Sequence, residues 1–593
     1  MLALVLAMAG ASPSTSAQSA PSAAADEQAL PHADAAIRYR VRVVAPDAVA
    51  SVIASSVDLV RWQDFADMTE QLLDRLIRES VSQASEAAAT QGFYSAKVEI
   101  AIDRTASPAA VTLTVLVGEP TLVTGVDIVV TGPATSDPLP GDAIVARVRD
   151  EWALRVGEIF RQSAWTAAKE RAVATLAASP YAGAQLVASE ARVDPETRAA
   201  QLSLEIASGP AFRFGAIDVH GLQRYSPGLV RDFSTISPGE LFGARLLDDY
   251  VRRLLASGYF ASVQASLDTD PEHAAAAPVT LNVIEAPTKR LEFGVGYSTD
   301  TQWKASGNYS DVNIDGHGLQ FYADVRLETK LTSGNVRLVL PPTAARWLDS
   351  FGAGVDRTDI ENLVTRTAAV TVRRRTIDER NTLAFGAGMF YNQQQAAGFE
   401  AEDSHALYVD GEYTWRHVDN LLAPQRGYMV NLQAGAGIPG ASTRTFGRLI
   451  GRVAAWLPLS HDNELSARAD AGAVLADSRN GIPSNFLFRT GGDTTVRGYA
   501  FESLGVQQGS AVVGGRYYAV ASGEATHWFN DSWGVATFID AGNATDSLQN
   551  FHFALGYGAG ARLRTPIGPF RVDVAYGQDV KSVRVHFSVG LSF

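Results

Sequence analysis

Within this 593-residue chain, one arginine and two acids have types and spacing that could do chemistry together. Arg497 lies in Phe488-Arg489-Thr490-Gly491-Gly492-Asp493-Thr494-Thr495-Val496-Arg497-Gly498-Tyr499, between two runs that alternate apolar and polar residues. Gly491, Gly492 and Gly498 open backbone conformations closed to other residues, while Val496 and Tyr499 supply side chains that can pack. Asp540 lies in Phe538-Ile539-Asp540-Ala541-Gly542, where alternation puts Phe538, Asp540 and Gly542 on one strand face. An unpaired carboxylate on a face otherwise small or apolar would cost several kcal/mol, and a planar five-donor guanidinium is the side chain best shaped to satisfy it. Arg497 is therefore expected to pair with Asp540, with Glu524, in the strand between the loop and Asp540, as a second candidate. The chemistry is non-covalent: a fixed cation bracing a loop.

Sets for covalent chemistry are missing from the sequence. It contains no HExxH, no Walker loop and no Gly-x-Ser-x-Gly elbow. Gly556-Tyr557-Gly558-Ala559-Gly560 reads as small lumen-facing residues of a strand before a nucleotide fingerprint, and His317, beside two glycines, as a turn residue. Zero cysteines exclude disulfides, thiolate metal sites and cysteine nucleophiles, and the ten histidines are scattered without metal-ligand spacing. The expectation is a non-enzyme without cofactor or metal. A net charge of −14 argues against nucleic acid as a partner.

The elements that must position the arginine are strands. From Leu291 onward helical periodicity vanishes and strand-length runs alternate to the end. Leu291, Phe293, Val295 and Tyr297 share a face, as do Val583, Val585, Phe587, Val589, Leu591 and Phe593. With 51 glycines, 18 tyrosines and 25 phenylalanines, the composition favours extended structure with aromatic girdles. Residues 289–593 have room for about 16 strands at the spacing of outer-membrane barrels. No internal apolar run reaches the length of a membrane-spanning helix. Backbone groups in a bilayer must pair within the protein, so such a sheet has to close first strand on last. Gly294, Gly296 and Gly590 remove side chains that would stiffen this seam. Each net hydrogen bond there is worth only about 1 kcal/mol, so a seam a few bonds short could open sideways.

Ahead of the strands, one unit recurs at a spacing of about 80 to 90 residues, giving modules at 36–119, 120–209 and 210–288. Each closes on an alternating strand that runs into a proline, at Pro120, Pro210 and Pro287. A helix with apolar residues at helical spacing precedes an aromatic bend: Gly92-Phe93-Tyr94, Tyr181 and Gly258-Tyr259-Phe260. The order is strand, helix, helix, strand, strand. Residues 1–11 read as most of a secretory signal, lacking its basic start, and residues 12–35 as an Ala/Ser/Pro-rich disordered leader.

Val496-Arg497-Gly498-Tyr499 followed by Phe538-x-Asp540-x-Gly542 resembles the paired signatures of the outer-membrane assembly and translocation superfamily that includes BamA, TamA and the two-partner-secretion transporters. The βααββ units resemble its polypeptide-transport-associated (POTRA) modules. Tyr297-Ser298-Thr299-Asp300, Asn313 to Leu319, Asp419 with Pro424 to Tyr428, and Thr565 to Pro569 are similar to segments of the TamA branch, which also carries three modules. Phe587, Leu591 and Phe593 resemble the C-terminal signal by which such barrels are recognised for insertion. The resemblance implies a 16-stranded antiparallel transmembrane barrel in a bacterial outer membrane, preceded by three βααββ POTRA modules in the periplasm. It implies that the Arg497 loop folds back into the barrel to meet acids on the inner wall. The implied function is insertion or export of autotransporters and other barrel proteins through a weak seam. Implied partners are a TamB-like inner-membrane-anchored periplasmic protein, unfolded outer-membrane clients and the lipid bilayer. Open sheet edges of the modules would accept extended segments by strand addition, or the modules would serve as spacers. Two rivals stay open: a two-partner-secretion pore passing a soluble client through the lumen, and a passive structural barrel.

Overall fold

Alternation and helical periodicity are both realised in a computed structural model, which describes residues 37–136, 141–343, 345–421, 423–565 and 568–589. The expected signal (1–11) and leader (12–35) lie outside the described residues, as do Gly590, Leu591 and Phe593. The chain divides into two compact units. Among the described residues one comprises 37–131, Ala146–Ala174 and Leu186–Ala207; the other comprises 132–145, Thr175–Gln185 and 208–589.

In the first unit, Ala109–Leu116 is the middle strand of a three-stranded sheet, parallel to Tyr39–Val44 and antiparallel to Lys97–Asp103. The helix Glu70–Thr90 starts at Thr69, whose side chain accepts the Leu72 N–H at 3.2 Å, a cap worth about 1 kcal/mol. Its residues Leu73, Leu76, Ser80, Ala84 and Ala87 recur at three- and four-residue spacing and are buried, the apolar ones in one cluster with Tyr39, Ile53, Leu59 and Leu113. A second sheet has the order Leu122–Thr131, Ala199–Ala207, Gln185–Asp194.

The second unit contains a third such sheet, ordered Phe214–His220, Ala277–Glu285, Phe260–Leu267, and a barrel. The helix Ala244–Ala256 buries Leu247, Tyr250 and Leu254 against this sheet, in a core that also holds Val312 from the barrel. Tyr259 Oη donates to Gly318 O at 2.6 Å, and Gln320 Nε2 donates to Ser257 O at 2.7 Å. The third sheet and its helices are thus docked on one end of the barrel.

Sixteen antiparallel strands form the barrel among the described residues. The first are β1 (Lys289–Ser298), β2 (Gln302–Asp311), β3 (Gln320–Glu328), β4 (Leu331–Val339), β5 (Trp347–Ile360) and β6 (Leu363–Thr376). Then come β7 (Asn381–Ala396), β8 (Glu402–Val418), β9 (Gly427–Gly437), β10 (Phe446–Pro458) and β11 (Asn463–Leu475). After a long loop follow β12 (Tyr517–Trp528), β13 (Trp533–Thr545), β14 (Ala554–Thr565), β15 (Gly568–Gly577) and β16 (Ser582–Val589). Each strand pairs with its neighbours in sequence, the arrangement that short turns permit. The outer face is apolar: Phe293, Val295 and Trp303 are 73%, 75% and 72% exposed, far more than isolated surface hydrophobics would give.

Closure is sparse. Among the described residues β1 meets β16 at one register position, Ser298 opposite Ser588. Next to it, the Thr299 N–H donates to Phe587 O at 3.4 Å and the Phe587 N–H donates to Thr299 Oγ1 at 3.2 Å. Because β1 ends at Ser298, residues 582–587 of β16 run on past it, paired with β15 on their other side.

Candidate functional site

The loop between β11 and β12, residues 476–516, crosses the barrel interior and is held on both sides. Towards β5–β7, the Ser484 N–H donates to Asn392 Oδ1 at 3.2 Å, Asn362 Nδ2 donates to Ser510 O at 3.0 Å, and the Val512 N–H donates to Glu361 O at 3.1 Å. A small hairpin, Val506–Gln508 with Ala511–Val513, stiffens this half. On the opposite side Val496 and Tyr499 are 0% and 1% exposed. The Tyr499 hydroxyl donates to Leu555 O and accepts from the Asp579 N–H, both at 3.1 Å.

Between these anchors Arg497 is tied down by every kind of donor it has. Its backbone N–H donates to Asp540 Oδ2 at 3.0 Å, and its side chain grips the same carboxylate in bidentate fashion, Nε to Oδ2 at 2.7 Å and Nη2 to Oδ1 at 2.9 Å. Nη1 donates to Glu524 Oε2 at 2.8 Å and to Asp573 Oδ2 at 3.1 Å. The guanidinium lies 3.4 Å from the centroid of the Phe538 ring, a cation–π contact strengthened by the lack of water. Structure thus brings Arg497, Asp540, Glu524 and Phe538 together. It adds Asp573 and a second arginine, Arg562, which donates to Glu524 Oε1 and Oε2 at 2.9 and 2.7 Å and to Asp573 Oδ1 at 2.6 Å. Side chains of Arg497, Asp540, Asp573 and Arg562 are 8%, 1%, 6% and 6% exposed. Burial opposes the charge on Arg497, but Asp540 and then Glu524 outweigh it and its pKa is raised.

Close backbone approach makes this seat possible. Gly498 has φ +93°, and a Cβ there would fall 2.7 Å from Gly577 N. A Cβ on Gly556 would sit 1.8 Å from Arg497 O, and one on Gly542 would sit 2.9 Å from Val496 Cγ2. These glycines let the loop lie directly on β13–β15. Of the glycine run at 556–560, Gly556 therefore belongs to the loop seat, while Gly558 and Gly560 face β15.

A second cluster links the loop to both sides of the seam. The Gly498 N–H donates to His586 Nε2 at 2.9 Å, so this imidazole carries its proton on Nδ1, 3.8 Å from Asp300 Oδ1. Asp300 sits in the β1–β2 turn, His586 on β16; both are buried, and His586 Nδ1 has no hydrogen-bond partner among the described residues. The Asp493 N–H donates to Asp300 Oδ2 at 3.0 Å. Burial and a proton shared with Asp300 push the Asp493 carboxyl up to about 7. Gly294 and Gly296 lie on β1 away from this cluster, and Phe587 contributes its backbone to the seam.

Asp573, Arg562 and His586 were missed because pairing across a curved wall depends on strand stagger. The available signal was their alternation with Val572, Leu563 and Val585 respectively, which puts each on the inward face. Among the described residues no set of three histidine, aspartate or glutamate side chains is arranged to hold a metal ion.

The sequence model of the Omp85 superfamily domain matches residues 288–593. The outer membrane protein assembly factor BamA of Nitratidesulfovibrio vulgaris is 25% identical over 410 residues, covering 63% of this chain and 50% of that protein; the chain spans about half the length of this curated relative. BamA of Haemophilus ducreyi lacking POTRA domains 1–3 superposes with a TM-score of 0.53 at 15% identity, covering 79% of this chain and 99% of that one. CdiB of Acinetobacter baumannii gives 0.45 at 13% identity over 79% and 90%.

Proposed function

The chain belongs to the Omp85 superfamily, and from that premise we propose that it is an outer-membrane factor that inserts or exports other barrel proteins, autotransporters among them, at the seam between β1 and β16. The observation that carries this reading is the loop seat: one buried cation ties residues 476–516 to β12, β13 and β15, while the same loop touches Asp300 and His586 on either side of the β1–β16 seam. The seat holds β12–β16 rigid, so the compliant element is the β1–β16 edge. An extended client can add its own strand there, since unpaired backbone groups in an apolar setting are strong templates. The apolar outer face supports insertion in a bilayer.

No covalent step is required. Three small sheets ahead of the barrel serve as POTRA modules that gather the client, and folding of the client into the bilayer supplies the drive. Within the superfamily the TamA branch is the assignment we favour, on the count of three modules and the sequence segments it shares. A TamB-like periplasmic protein anchored in the inner membrane is then the partner. The loop crossing the lumen disfavours a wide resting pore, which separates this reading from a two-partner-secretion transporter.

The test is reconstitution. Liposomes containing the purified chain should accelerate membrane insertion of a urea-unfolded autotransporter barrel over empty liposomes, without a large stable conductance. Unaccelerated insertion together with a large open channel would favour the pore.

A further inference from the structure

We propose that the cavity where the third module meets β3–β6 is a binding site for a phosphate group, free or carried on a lipid. The cavity, of about 280 Å³, is lined by Arg253 from the helix Ala244–Ala256 and by Arg337 and Arg375 from β4 and β6, with Glu379 as its one carboxylate. Three cations against one anion leave a positive surplus in a chain whose net charge is −14.

What marks these arginines is the absence of anionic partners. In the run Arg373-Arg374-Arg375, Arg373 pairs with Asp410 at 3.2 Å and with Glu412, and Arg374 pairs with Asp349 at 2.6 Å. Arg375, opposite Leu348 in the sheet, makes no hydrogen bond or salt bridge among the described residues, and the charge that attracts it is Glu379 across the cavity. Arg337 is opposite Tyr322 and stacks on its ring, 5.0 Å from the centroid, again with no carboxylate in reach among the described residues. Arg253 donates only to neutral groups, Thr235 Oγ1 at 2.8 and 2.7 Å and Phe233 O at 3.4 Å. Burial, and then Arg346 and Arg252 nearby, lower the pKa of Arg253 against the pull of Asp378 and Glu379.

Converging guanidinium groups are the side chains best suited to phosphate, since their forked donors match its oxygens and they do not lose their charge. Arg337 and Arg375 are exposed and so can reach a ligand without rearranging the fold.

Equilibrium dialysis of the full chain in detergent against radiolabelled inorganic phosphate, and native mass spectrometry after incubation with phosphatidylglycerol or phosphatidylcholine, separate the two sources. The double variant R337Q/R375Q should weaken binding at least tenfold while R171Q, at an exposed helix position of the first unit, leaves it unchanged; heat-modifiable migration on gels confirms that both variants fold. Saturable binding of one phosphate per chain supports a soluble ligand. Retention of phosphatidylglycerol over phosphatidylcholine, with the same dependence on Arg337 and Arg375, supports a lipid headgroup. The proposal is overturned if neither binds saturably, if R337Q/R375Q binds as well as the parent chain, or if a peptide carboxylate occupies the cavity where both phosphates fail.

Discussion

Removing the guanidinium of Arg497 leaves Asp540, 1% exposed, facing Ser522 and the loop backbone with its charge uncompensated. Breaking a buried ion pair from one side typically costs about 3–5 kcal/mol. Arg497→Ala is therefore expected to release the loop, read as new protease cleavage within residues 476–516 and a lower unfolding temperature in detergent. Arg497→Glu should be worse and Asp540→Arg should partly restore it; no rescue would mean the pair is not what seats the loop. The Asp493 carboxyl gives a pH effect with a definite sign. Its pKa in the folded protein is about 7, above the ordinary 3.8, through burial and then Asp300, with His586 and Arg571 opposing. Its contribution is complete below about pH 4 and is lost as pH rises through about 7. Hydrogen exchange at residues 491–499 should accordingly speed up between pH 6 and 8 more in the parent chain than in Asp493→Asn; parallel profiles would contradict this. At this scale the sequence shows which acids sit on an inward face, because alternation is local. It does not show that Asp573 and Arg562 complete the cluster, or that Arg375 lacks the carboxylate its neighbours have, because those facts depend on strand stagger.

The loop and the strands beneath it fit as backbone against backbone. A methyl group on Gly556 would collide with the Arg497 carbonyl at 1.8 Å, a clash no rotamer change relieves. Gly556→Ala should displace the loop with no change in charge, costing on the order of 1–3 kcal/mol and giving the same protease pattern as Arg497→Ala. Gly296→Ala, where a Cβ would meet nothing within 4 Å, should leave that pattern unchanged. Equal behaviour of the two variants would show that close packing does not seat the loop. The strands themselves were readable from alternation, as in β1, where Leu291, Phe293 and Val295 are all strongly exposed. Helices were readable from apolar spacing, as in Leu73 and Leu76, whereas the Thr69 cap ahead of them came from the structure. That Gly556 faces the loop was beyond local pattern, since small residues fit many neighbours equally well.

For the molecule as a whole, the proposed function sets the strands tied to the loop, β12, β13 and β15, against a joint where β1 meets β16 at Ser298 and Ser588. A closed sheet follows from the need to pair backbone groups in lipid, so closure could be anticipated from sequence; the register at which β1 meets β16, Ser298 opposite Ser588, could not, because it depends on strand stagger. Compliance at this joint is the central claim. The chain has no native cysteine, so the pair Ser298→Cys and Ser588→Cys can be oxidised without side reactions. The decisive measurement is client insertion into liposomes by this double variant, oxidised and then reduced. The account predicts that the disulfide abolishes insertion, that reductant restores it, and that heat-modifiable migration is the same in both states. Full insertion activity from the crosslinked protein would contradict it.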